Sequence, residues 1–255
     1  MSSLLFFKCS KFLTRLFLVY LVGLLLVACT PAPIPTTIDD PLEAQNRETH
    51  EANLELDRII VRPTANAYGS IVPEPVRNGI GNAASNLNLP GMVLNNLLQA
   101  RIEDAGTNAF RFLLNTTFGL AGILDVATEA GIPEQTTDFG ETLFIWGVRE
   151  GNYIELPVVG PSTERHAAGR VVDTIINPLN TVFAGTDRSV MTATGIIARF
   201  GDRYRYSDLV DSILYESEDG YAQARLLYLQ NRRFQLGGAE NREFFDPYED
   251  VYGAE

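Results

Sequence analysis

The sequence predicts an all-α fold of many short amphipathic helices, with one short extended arm near residues 151–160. Three observations carry the prediction. Apolar residues from Asp40 onward recur at steps of three and four, the spacing that lines one face of an α-helix. Glycines and prolines interrupt that spacing often, so the helices are short. A brief strand-like alternation falls in Tyr153-Ile154-Glu155-Leu156-Pro157-Val158-Val159, closed by Gly160-Pro161.

In chain order, Val76, Ile80, Ala83 and Leu87 form the face of a first helix, with Pro75 in its opening turn. Leu89, Val93 and Leu97 line a second, widened by Leu94 and Leu98, and Thr107 caps a third that bears Phe110, Phe112, Leu113 and Leu114 before Gly119 and Gly122 break it. Asp138 and Glu141 make a capping box ahead of Leu143, Phe144 and Trp146, and Gly147 ends that turn. Ala168, Val171, Val172, Ile175 and Ile176 form an i, i+3, i+4, i+7, i+8 set stopped by Asn177-Pro178. The stretch Val190–Phe200 is apolar or small on every side, which predicts a helix buried all round in protein or lipid, at eleven residues too short to span a bilayer. Tyr206, Leu209, Val210, Ile213 and Leu214 repeat the helical set, and Tyr221–Phe234 forms a last long helix.

The N-terminus reads differently. Lys8, Lys11 and Arg15 precede a short apolar run that ends Leu26-Val27-Ala28-Cys29, the pattern of a secretory signal closing in a lipobox, so residues 1–28 are expected to be removed and Cys29 acylated. The alternative is an uncleaved anchor with Cys29 as a buried thiol, for which the apolar run is short. Each buried methylene contributes about 0.8 kcal/mol, and stable anchoring needs more than one chain. Residues 29–39 follow as a linker kept extended by Pro31, Pro33 and Pro35, then a domain at 40–245 and an acidic tail at 246–255.

Without the signal, 17 basic residues face 32 acidic ones, a net charge of −15, which argues against nucleic acid as a partner. Both lysines lie in the signal, so every remaining cation of fixed charge is an arginine, the side chain whose planar fork suits phosphate. The cysteines are Cys9 and Cys29, which leaves no disulfide framework and no cysteine metal site. His50 and His166 have no metal-ligand spacing, and no G-x-S-x-G elbow exists. Gly79-Ile80-Gly81-Asn82-Ala83-Ala84 fits the dinucleotide fingerprint only formally, because a Pro-Glu-Pro turn precedes it rather than a strand. Neither a catalytic constellation nor a cofactor or metal site is expected.

Asp40-Pro41-Leu42-Glu43, Asn46-Arg47 and Val61-Arg62-Pro63 resemble the opening signature of the MlaA/VacJ family of outer-membrane lipoproteins. The likeness continues through Val76-Arg77-Asn78-Gly79-Ile80, Asn86-Leu87, Arg111-Phe112, Asn115-Thr116, Asp138-Phe139-Gly140, Trp146-Gly147-Val148 and Gly160-Pro161-Ser162. It departs at Ala44-Gln45, where the family usually has Gly-Phe, and at Arg165-His166, where Arg-Asp is common.

The resemblance implies a helical ring lying mainly in the inner leaflet of the outer membrane, lipid-anchored from the periplasmic side, with an amphipathic channel. It further implies removal of mislocalised phospholipid from the outer leaflet, an outer-membrane porin trimer as partner and a periplasmic lipid carrier as acceptor. A structural porin-associated lipoprotein and an esterase are the competing classes. Within the implied channel, Asp138, Gly140, Trp146, Gly147, Tyr153 and Pro157 are the shaping or gating candidates, and Arg47, Arg62, Arg77 and Arg111 the phosphate-contact candidates.

Overall fold

The computed structural model describes residues 31–38, 40–183 and 186–237. The signal segment 1–28, Cys29 and the acidic tail 246–255 lie outside them. Helix α1 (Glu43–Leu56) runs through one π turn (Asp57–Val61) straight into α2 (Arg62–Ile71), giving a single rod. The widened turn sits just ahead of Pro63, which has no N–H to donate and whose ring crowds the carbonyl four residues back.

Helix α3 (Glu74–Leu98) is continuous, although the spacing predicts two helices here. Pro90 lies inside it, at a usual cost of about 3 kcal/mol. Packing against α4 (Ile102–Thr117) and α9 (Thr186–Arg205) keeps its two halves in line. Thr107 does not cap α4, which starts five residues earlier; its hydroxyl donates to the Glu103 carbonyl at 3.0 Å from within the helix. A tight turn after α4 places Leu120, Ala121 and Gly122 in the left-handed region at φ 52°, 60° and 91°, and α5 (Val126–Glu129) follows.

Asp138 caps α6 (Phe139–Ile145) by accepting from the Glu141 amide at 2.8 Å, but the reciprocal half of the capping box is absent. The Glu141 carboxylate accepts instead from Arg101 at 2.7 Å and Thr137 at 2.8 Å. Gly147, at φ 84°, closes α6 as expected, with its amide on Phe144 O and that of Val148 on Leu143 O, both at 2.9 Å, the paired bonds of a Schellman stop.

The extended arm is a two-stranded antiparallel hairpin, β1 (Tyr153–Leu156) with β2 (Gly160–Thr163), registered Tyr153 to Thr163 and Leu156 to Gly160. Gly160-Pro161 thus begins the second strand rather than ending the arm. Helix α7 (Glu164–Ile176) stops at Asn177 as the spacing predicts, and α8 (Pro178–Val182), α9, α10 (Ser207–Leu214) and α11 (Gly220–Gly237) complete the chain. Among the described residues no helix is long and apolar enough to cross a membrane. The proline-rich segment has no helix or strand, yet it is docked: Ala32 donates to Phe144 O at 3.0 Å and packs with Phe144 and Leu236.

Amphipathicity is inverted relative to a water-soluble helical protein. Helix α4 buries Asn108, Arg111 and Asn115, while its Ile102, Phe110 and Leu113 are exposed. In α7, Arg165 and Gly169 are buried and Val171 and Ile175 are 62% and 68% exposed. The Val190–Phe200 stretch, expected to be buried all round by protein or lipid, belongs to the longer α9 and leaves Val190 and Ile196 uncovered by protein. Polar residues outnumber apolar ones among the buried residues described. Exposed apolar surface costs about 25 cal/mol per Å² in water and nothing comparable against hydrocarbon, so this distribution suits a lipid environment.

Candidate functional site: a polar cavity inside an apolar exterior

Helices α3 and α9, the C-terminal part of α7 with α8, and the α5 region line a cavity of about 1480 Å³. From α3 come Arg77, Asn78, Asn82, Ser85 and Asn88, a polar stripe at helical spacing. Helix α9 supplies Arg199, Asp202 and Arg205 beside Met191 and Ile196, the α5 region adds Leu124, Val126, Glu129 and Glu134, and α7 adds Asp173. The lining is therefore amphipathic, with charge of both signs and aliphatic surface within one space.

The wall is tied together by specific bonds. Asp173 accepts from Asn95 of α3 at 2.7 Å and from the Phe139 amide of α6 at 3.0 Å. Burial pushes its carboxyl above the ordinary range despite these two donors. Ser85 donates to Glu134 at 2.7 Å, and Arg205 hydrogen-bonds Asn78. Asp125 is pushed up by burial, but bonds from Thr128 and Asn115 and the Arg111 charge outweigh this and hold it low.

Of the four arginines singled out from the sequence, one faces the cavity. Arg77 donates to the carbonyls of Gly69 and Val72 and lies over the Tyr204 ring. Arg47 bonds Glu43 and Asp219, Arg62 bonds Asp211, and Arg111 is 2% exposed and bonds Asp125, so these three are joined to carboxylates and are not on the lining themselves, although Asp125 is.

The residues singled out between 138 and 162 are not on the lining either. Gly140 sits where α6 and α7 touch through their backbones: a Cβ on Gly169 would stand 2.4 Å from the Gly140 nitrogen, and one on Gly140 would stand 3.2 Å from the His166 Cα. Trp146 is part-exposed, stacks edge-on with Phe139 and donates to Leu98 O at 3.2 Å. Tyr153 is buried and donates to Glu155 at 2.5 Å, beside Tyr221 and Leu229. Pro157 is exposed at the hairpin turn. Asp138 is pushed up by burial but held below the ordinary carboxylate range by Arg232 and the Glu141 amide. Their link to the cavity is indirect, through the Phe139 amide on Asp173.

Arg199, Arg205, Glu129, Glu134 and Asp202 were not singled out from the sequence. The signal available was the polar stripe Asn78, Asn82, Ser85, Asn88, which marks a wet helix face opposite the apolar one. Among the described residues no group of three or more His, Cys, Asp or Glu is placed to hold a metal ion.

The family model for the MlaA lipoprotein matches residues 38–235. The intermembrane phospholipid transport system lipoprotein MlaA of Shigella flexneri is 36% identical over 207 residues, covering 79% of this chain and 80% of that protein. The protein of the same description from Escherichia coli K12 shows the same identity and coverage. A solved structure described as "Structural basis for maintenance of bacterial outer membrane lipid asymmetry" matches with a TM-score of 0.67 and 33% identity, covering 78% of this chain and 99% of that one.

Proposed function

The chain belongs to the MlaA lipoprotein family, and from that premise we propose that it serves outer-membrane lipid asymmetry by passing phospholipid through its cavity, without covalent chemistry. The observation that carries the reading is the amphipathic cavity lined by helices that elsewhere expose apolar residues. A two-chain lipid needs a polar route for its headgroup and an apolar wall for its tails. Arg77, Asn82 and Arg199 offer the first, and Leu124, Met191 and Ile196 the second. The helices lie in the membrane plane, where their internal hydrogen bonds need no water.

In this reading Cys29 carries the acyl anchor, mislocalised outer-leaflet phospholipid enters the cavity, a porin trimer holds the protein in the bilayer and a periplasmic carrier accepts the lipid. Asp138, Gly140 and Gly147 shape the channel from outside it, by fixing α6 against the Asp173 wall. Of the arginine candidates Arg77 meets the phosphate, while Arg47, Arg62 and Arg111 hold the frame.

The test is a deletion strain, which should accumulate surface phospholipid and become sensitive to detergent with chelator, and should be rescued by this gene. Rescue accompanied by lysophospholipid in proportion to the lipid removed would replace transport with hydrolysis. Cys29→Ser should abolish rescue and outer-membrane fractionation together.

A further inference from the structure

The proline-rich segment ahead of α1 is laid down with a period of two. Ala32 is buried and Ile34 half-buried, while Pro31, Pro33 and Pro35 on either side of them are exposed. Prolines keep the chain extended and have no N–H to pair, so they suit the outward positions, and alternate residues of an extended chain point the same way. The inward pair joins two elements. Ile34 lies beside Gly237 at the end of α11, and Ala32 donates to Phe144 O at 3.0 Å and packs with Phe144 and Leu236. Followed towards the N-terminus, this strap therefore crosses from α11 to the end of α6, and Cys29 is three residues further on, at most about 11 Å from Ala32.

The end of α6 that the strap reaches is bordered by apolar surface. Trp146 and Val148 follow Phe144 and are exposed, as are Leu97 and Leu98 at the end of α3. The Trp146 indole N–H donates to Leu98 O at 3.2 Å, which joins the two groups and leaves an exposed ring with no free polar atom. Such a surface is unfavourable in water and suits hydrocarbon. An acyl chain reaches about 15 Å, half the hydrocarbon core of a bilayer, so chains carried by Cys29 cover this surface without moving the strap.

We propose that Leu97, Leu98, Trp146 and Val148 form the seat of the acyl chains on Cys29, held there by the docked strap. The inference rests on the acylation reading above. The anchor is then no free tether. It fixes the α6 flank of the domain in the bilayer, and the start of that same helix meets the cavity wall through the Phe139 amide on Asp173.

The experiment uses the full-length lipoprotein purified from a bacterial host fed a palmitic acid analogue with a mid-chain diazirine, reconstituted in dioleoyl phosphatidylcholine vesicles. After irradiation and proteolysis, mass spectrometry locates where the N-terminal lipopeptide is joined to the rest of the chain. Crosslinks should concentrate on the peptides that carry Leu97, Leu98, Trp146 and Val148. Two variants separate the strap from the seat. Ala32→Glu puts a charge at a buried position and should undock the strap. About ten Gly and Ser residues inserted between Thr30 and Pro31 leave the strap docked but add a coil spanning about 18 Å. Both changes should disperse the crosslinks over other exposed apolar residues, such as Phe110 and Ile196. Should Ala32→Glu fail to fold by circular dichroism, the insertion variant decides alone. Crosslinks that are dispersed in the wild type, join only vesicle lipid, or stay unchanged in the insertion variant overturn the strap-held seat while leaving acylation and the channel standing. An N-terminal peptide without acyl chains overturns the acylation reading and the seat together.

Discussion

Arg232 of α11 donates to both carboxylate oxygens of Asp138, each at 2.7 Å, and Asp138 is at the same time the N-cap of α6. One carboxylate thus starts a helix and ties it to the far end of the chain. The Arg232 side chain is 9% exposed, so its fixed charge is compensated mainly by this partner rather than by solvent. Asp138→Asn should destabilise the protein by about 3–5 kcal/mol, the range for stranding a buried charge. Asparagine caps a helix about as well as aspartate, so a role confined to the cap would leave stability nearly unchanged, and chemical denaturation in detergent separates the two roles. Because the folded carboxyl is held low, its contribution is present above the ordinary carboxylate range and is lost as pH falls through the folded value.

His166 supplies a separate pH dependence. Burial, followed by the charges of Arg232 and Arg170, lowers its pKa from 6.5 to about 4. Its Nδ1 lies 2.7 Å from the Tyr228 hydroxyl, and the two rings are stacked at 6.0 Å. The unfolded chain therefore binds a proton below pH 6.5 that the folded chain refuses until about pH 4, so stability falls as pH drops through that window. In His166→Gln the fall in melting temperature between those two pH values should be shallower. An unchanged slope would assign the dependence to the carboxylates.

Gly147 is the left-handed residue of the stop that ends α6. A side chain there costs about 1–2 kcal/mol. Gly147→Val should lower the melting temperature, and lipid passage should fall beyond the loss of folded protein if α6 shapes the channel. Transport that tracks protein abundance alone would make α6 a passive brace.

Much of the fold was legible because helix spacing and stop signals are local. Asn177-Pro178 ended α7 and Gly147 ended α6 where the residues indicated. The failures share a cause in tertiary packing: Pro90 was overridden by neighbours along α3, and Thr107 by a helix start at Ile102. The site was less legible. Apolar periodicity identifies a helix face but not what it faces, and here Phe110 and Leu113 point outward while Asn108 and Asn115 point in. Arg62 and Arg111 look like phosphate ligands in sequence, yet Asp211, 149 residues further on, and Asp125, 14 residues on and past the turn that follows α4, hold them.

The inverted faces of α4 make opposite predictions for two substitutions. Asn115 donates to Asp125 at 2.8 Å and accepts from the Ala127 amide at 2.9 Å, so Asn115→Leu strands buried polar groups at a cost of about 2–3 kcal/mol. Phe110→Ser removes an exposed apolar side chain with no such partner. It should change stability in detergent by less than about 0.5 kcal/mol while weakening partition of the folded protein into vesicles. If Phe110→Ser were the more destabilising of the two, α4 would face the other way.

The channel itself is best tested by filling it. Gly195 lies on the cavity wall in α9, and a Cβ built there meets nothing within 4 Å. Gly106 is equally open but sits on the exposed face of α4, away from the lining. A non-glycine residue inside a helix removes backbone freedom from the unfolded state, a gain of about 0.5–1 kcal/mol for alanine, so neither position should unfold when enlarged. Gly195→Phe places an aromatic ring in the path a headgroup would take, and cells carrying it should accumulate surface phospholipid although the protein is present and its melting temperature is not lowered. Gly106→Phe should leave surface lipid at the wild-type level. Equal function of the two variants would mean that phospholipid does not pass through this cavity, whatever the chain contributes to asymmetry by other means.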